Sequence, residues 1–168
     1  MRALLALCLL ACPASAETRY LCWRGANGYS MTGTLTFPDR LAGAELIDQD
    51  QVDRLVIEGF HEGAPLGRWD SAERGPETSW LLRYAPRKGR FPLIGSGLYQ
   101  AWNANGAVND CGTPGFGFNA GNGGQDVCVD GVFRTDSTIA WDTPILTYPA
   151  PRDPLTCSNE PLMSKRQQ

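Results

Sequence analysis

Residues 28–37 constrain the fold more than any other part of the chain. Tyr29, Met31, Leu35 and Phe37 recur on one face, and Ser30, Thr32, Thr34 and Thr36 fill the other. A period of two puts one set of side chains against a core and the other toward water, which predicts a half-buried β-strand. Gly33 falls on the apolar face, where a missing side chain lets a neighbour pack close. Pro38 and Asp39 end the strand. Such a strand needs partners, and residues 20–23, 52–60, 67–70, 79–85, 97–102, 131–134, 138–141 and 145–148 read as further strands. Segment 52–60 is apolar on both faces, with Leu55 and Ile57 against Val56 and Phe60, as suits a central strand. In 79–85, Trp80, Leu82 and Tyr84 alternate with Ser79, Leu81 and Arg83, so Trp80 reads as core, as does Trp141 in 138–141. Helical periodicity is absent, apart from room for one helical turn over 48–53. Short strands punctuated by Gly, Pro, Asn and Asp predict an all-β fold, an antiparallel β-sandwich or jelly-roll-like domain.

The N-terminus reads as a processing segment. Met1-Arg2 precedes the apolar run 3–11, and Ala14-Ser15-Ala16 offers small residues at a cleavage site. The expected layout is a signal peptide over 1–16, a single β domain over 17–163 and a polar tail over 164–168 that frays. The protein is then periplasmic or extracellular. A rival reading takes Leu9-Leu10-Ala11-Cys12 as a lipoprotein signal, with Cys12 anchored to a membrane. The apolar run is too short to cross a bilayer and no second run of about 20 residues follows, so no membrane span is expected. A net charge of −3 argues against nucleic-acid binding, which needs a basic surface.

Removing the signal leaves Cys22, Cys111, Cys128 and Cys157, an even number that suits disulfides in an exported chain. Of the three connectivities, Cys111–Cys128 closes a local loop and Cys22–Cys157 ties the first strand to the C-terminal tail. This pairing is the expected one. Zinc is disfavoured, because no Cys-x-x-Cys is present and His61 is the only histidine.

The segment 100–131, rich in Gly and Asn, reads as a long loop pinned by Cys111–Cys128, and a loop of that length inside a compact domain is usually functional. Trp102, Asn103, Asn105, Phe116 and Phe118 are its candidate binding residues. Phe116 and Phe118, flanked by Gly115 and Gly117, are expected to project from it, and flat rings stack on sugar faces. Asp110, Asp126 and Asp130 are candidate calcium ligands, although their spacing does not match an EF-hand and no cofactor is otherwise implied. Arg83, Arg87, Lys88 and Arg90 form a basic run that either grips an anion or caps a solvated hairpin. No catalytic residue is assigned. His61 lies near Glu58 and Glu62 but not in H-E-x-x-H, and Gly95-Ser96-Gly97 is not a nucleophile elbow.

The stretch 28–60, with GYSMTGTLTF followed by an acidic turn and VDRLVIEGF, resembles the opening of uncharacterised exported bacterial all-β proteins of the kind found with PEP-CTERM sorting tails. The chain ends in SKRQQ, without the Pro-Glu-Pro, membrane segment and basic residues of such a tail. The resemblance implies an exported β protein and assigns neither an activity nor functional residues. The expectation is a binding or surface-interaction module for a glycan or envelope component. The alternatives are a small periplasmic hydrolase, using His61 or the loop carboxylates, and a purely structural envelope or matrix protein.

Overall fold

The structure is a computed structural model, and it describes residues 15–93, 99–105, 111–121 and 123–159. Its strands, in chain order, are β1 (Ala16–Arg24), β2 (Tyr29–Pro38), β3 (Ile47–Asp48), β4 (Arg54–His61), β5 (Ala64–Asp70), β6 (Trp80–Leu81), β7 (Arg83–Tyr84), β8 (Arg90–Phe91), β9 (Gln100–Trp102), β10 (Phe116–Gly121), β11 (Gly124–Val129), β12 (Val132–Phe133) and β13 (Ile145–Tyr148). A six-stranded sheet runs β5-β4-β2-β1-β13-β8 and a five-stranded sheet runs β12-β11-β10-β9-β6, with β3 and β7 paired apart. Every pairing is antiparallel. Consecutive strands pair throughout β9–β12 and in β1–β2 and β4–β5, while β13 and β8 join the first sheet, and β6 the second, from elsewhere in the chain, so the fold is an all-β sandwich.

The alternation read from residues 28–37 sets the inner face of the first sheet. Tyr29, Met31, Leu35 and Phe37 are buried, and β4 adds Leu55 and Ile57 beside them. Gly33 is the close approach expected of it: a Cβ there would lie 2.3 Å from the carbonyl oxygen of Val56. The facing sheet contributes Trp102, Phe116, Phe118, Ala120, Val127 and Val129 to the same core. Aromatic rings run through that core in an unbroken chain, with centroids 5.2 Å apart for Trp23 and Phe118, 4.9 Å for Phe118 and Trp102, and 4.9 Å for Trp102 and Phe91. Tyr84 and Phe37 continue it at 5.0 and 5.6 Å. Tilted and edge-to-face pairs at these spacings add to the stabilisation from burial itself.

Both expected disulfides are present. Cys22–Cys157 joins β1 to the C-terminal segment, and Cys111–Cys128 joins the β9–β10 connection to β11. Disulfides of this kind fit an oxidising compartment. Among the described residues no helix is long and apolar enough to cross a membrane. The signal-peptide segment through Ala14, Cys12 included, lies outside the described residues, as does the tail 164–168.

Four expectations are corrected. Most of the anticipated loop 100–131 is sheet: β9, β10 and β11 occupy it, and the connection that Cys111 pins is the shorter run between β9 and β10. Its glycines do not break the strands, because Gly117 and Gly121 fall on the outer face while Phe116, Phe118 and Ala120 face inward. Residues 138–141 do not form a strand; Ile139 alone bridges to Gln125. The buried Gln125 side chain donates from Nε2 to the carbonyls of Ala140, Trp141 and Thr143, which bends that segment around it. Trp141 is consequently 42% exposed rather than core. The region 48–53 holds a turn closed by Gln51 N–H on the Asp48 carbonyl rather than a helical turn, and the 3-10 turns lie at Asp39–Leu41, Ser71–Glu73, Pro86–Lys88 and Thr135–Ser137.

Candidate functional site

The outer face of the five-stranded sheet carries the candidate site. Register places Leu81 opposite Ala101, Ala101 opposite Asn119, and Asn119 opposite Asp126, so one row of side chains crosses four strands. At the usual spacing between strands the row is about 14 Å long. It forms the floor of an open groove of about 940 Å³, bordered by Tyr99, Asn105 and Phe133. Small residues make the depression: Ala101 lies on the floor, and Gly121 and Gly123 line one end. Tyr99 is 39% exposed, which leaves part of its ring free for contact with a ligand. Phe133 is half-buried against Ala104 and the Cys111–Cys128 bridge, so the disulfide braces one wall.

Among the described residues, Asp126 is the only formally charged side chain lining the groove. Burial pushes its carboxyl above the ordinary carboxylate value, and a hydrogen bond from the Asn119 side chain partly offsets that rise. Its Oδ1 is shut from solvent and has no hydrogen-bond partner. A lone carboxylate beside an amide, between aromatic flanks, can accept hydrogen bonds and orient a polar ligand. Glycoside hydrolysis calls for a pair of carboxylates flanking the bond, and the described groove residues supply one.

The residues singled out from sequence divide sharply. Trp102, Phe116 and Phe118 are core side chains with no exposed surface, which corrects the expectation that the two phenylalanines project from a loop. They point inward because the alternation of β9 and β10 sends them there. Asn103 is a pin: in a left-handed conformation (φ 56°), it donates from Nδ2 to the carbonyls of Cys111 and Phe116. Asn105 borders the groove. Asp126 lies in it, but Asp130 belongs to the β11–β12 turn. Asp130 accepts from the Gly115 N–H at 3.0 Å and returns a backbone bond to the Gly115 carbonyl. Four residues along the chain separate Asp126 from Asp130, roughly 13 Å in extended backbone, so they do not share an ion. Asp110 lies outside the described residues. Among those described, no cluster of three or more His, Cys, Asp or Glu could hold a metal.

His61 is not a groove residue. Its ring stacks on Tyr29 at 4.5 Å, and its Nε2 meets the Asn27 carbonyl at 3.0 Å. The basic run spans β7, the 3-10 turn Pro86–Lys88 and β8, where Arg87 pairs with Glu45 and Arg83 with the Gln49 side chain. Sequence reasoning missed Phe133 as a groove residue. The alternation of 116–121 marks Asn119 as outward-facing, but only the register shows that Asp126 is its neighbour. In comparisons with known proteins, no family model, no curated protein and no solved structure matches the chain.

Proposed function

We propose that the protein is an exported binding module that holds a glycan or another hydroxyl-rich envelope component in the groove across the five-stranded sheet. The observation that carries this reading is the row Leu81–Ala101–Asn119–Asp126, open along its length and bordered by the part-exposed Tyr99. An amide and a carboxylate pair with hydroxyls, and an amphipathic ring stacks on a sugar face. A row of about 14 Å suits a short oligomer better than a single small molecule. The disulfides support export, as does the resemblance of residues 28–60 to exported β proteins.

Titration of the oxidised protein with a panel of neutral and charged oligosaccharides, followed by amide chemical shifts, tests the reading. The expected result is saturable binding with shifts centred on Ala101, Asn119 and Asp126. Replacing Tyr99 by Ala should weaken that binding about fivefold to tenfold without lowering the melting temperature appreciably. Saturable binding that maps to the six-stranded sheet, or no binding across the panel, would reject the assignment.

A further inference from the structure

The groove is chemically lopsided. Its described lining contains Asp126 and no Lys, Arg or His. The stretches next to the lining residues in sequence, 94–98, 106–110 and Asn122, contain none either, and Asp110 adds a second acid there. Asp126 takes part in none of the ion pairs among the described residues. With Oδ1 unpartnered, the hydrogen bond from Asn119 falls to its other oxygen. The Oδ1 of this carboxylate lacks a hydrogen-bond donor, and the group as a whole lacks a positive partner. A hydroxyl group supplies only the donor, whereas a protonated amine supplies both. Oδ1 is shut from solvent, so an incoming amine must reach it by a turn of the side chain about its soft terminal torsion.

We propose that the groove selects a ligand bearing a protonated primary amine on a hydroxylated ring, as in an amino sugar, with the ammonium seated on Asp126 and neighbouring hydroxyls on Asn119. This rests on the reading of the groove as a glycan site and names the ligand class within it. N-acetylation of the same sugar removes the charge and places an acetyl group against the floor, so the acetylated form is the discriminated one. The selectivity belongs to Asp126, while general affinity belongs to Asn119 and Tyr99.

The test titrates the oxidised full domain with glucosamine, N-acetylglucosamine and glucose tetramers, and with spermidine as an amine that lacks a ring. The glucosamine tetramer is expected to bind about tenfold or more tighter than the other two tetramers, with the margin shrinking at high salt. In Asp126→Asn, which keeps shape and the capacity to pair with Asn119, the three tetramers should converge. In Asn119→Ala all three should weaken while their order persists. Spermidine binding as tightly as the glucosamine tetramer would overturn the amino-sugar assignment and identify a bare polyamine as the source of the amine. Equal binding of the three tetramers, unchanged in Asp126→Asn, would overturn the amine selectivity and leave the glycan reading standing. Absence of saturable binding by every tetramer would remove both.

Discussion

Asp126 shows how one residue sets the energetic cost of a groove. Burial raises its pKa in the folded protein, and the hydrogen bond from Asn119 restores part of the balance. The sign of the linkage follows. Below the ordinary carboxylate range the group is protonated in both states and costs nothing. As pH rises toward the raised folded value, the unfolded chain gives up its proton first, and stability falls. Above the folded value the full cost persists. Asp126→Asn should therefore melt higher than the parent at neutral pH, with the gap closing as the pH drops below about 4. Melting curves across that range check this, and a gap independent of pH would show that desolvation of the carboxylate is not its source. Gln125 is the complementary case, a buried amide whose demands are met: it accepts from Trp23 Nε1 at 2.8 Å, and its two amide hydrogens are shared among three carbonyls. Nothing in the residues around Gln125 announces that role, because its partners lie far away in sequence.

Hairpins that pack face to face need places where bulk is absent. Gly59 on β4 provides one: a Cβ there would lie 2.0 Å from the Phe116 ring, which enters from β10 of the opposite sheet. The register shift between β4 and β5 falls at Gly59 and Phe60, beside the intruding ring. Gly59→Ala should cost about 2–3 kcal/mol through overpacking. Adding Phe116→Leu should return part of it, a coupling that urea denaturation of the single and double variants would reveal. Additive losses would mean that the ring and the glycine do not meet. Strand legibility followed the same logic. Strands β2, β4 and β13 carry plain alternation or dense apolar content and were readable. Strands β10 and β11 were not, because their outward positions hold Gly, Asn and Asp, residues that usually mark turns. The inward set of Phe116, Phe118, Ala120, Gln125, Val127 and Val129 held the period of two throughout. Strands β3 and β8, two residues each, are too short to leave a period.

Across the whole molecule, two covalent ties act on very different lengths of chain. Cys111–Cys128 spans 17 residues and Cys22–Cys157 spans 135. In the chain-entropy account their loss costs about 3 and about 5 kcal/mol respectively. Replacing Cys22 and Cys157 together by Ser should therefore lower stability more than replacing Cys111 and Cys128. The shorter tie has a second role, since it braces Phe133 at the groove. Its removal should weaken ligand binding more than the melting temperature suggests, whereas loss of the longer tie should leave binding by the folded fraction intact. Comparing binding and thermal denaturation for the two double variants separates these effects. Sequence alone determined the all-β class and the faces of the clearest strands, because alternation is a local consequence of backbone geometry. The cysteine pairing it only favoured, because four thiols allow three connectivities, and the structure settled which one forms. Only the tertiary structure decided which outward residues share a groove. Leu81, Ala101, Asn119 and Asp126 come from four strands, and register across a sheet depends on packing and turn geometry summed over the whole fold. The same summation turned Phe116 and Phe118 from exposed candidates into core, since the face a strand buries is chosen by the sheet opposite.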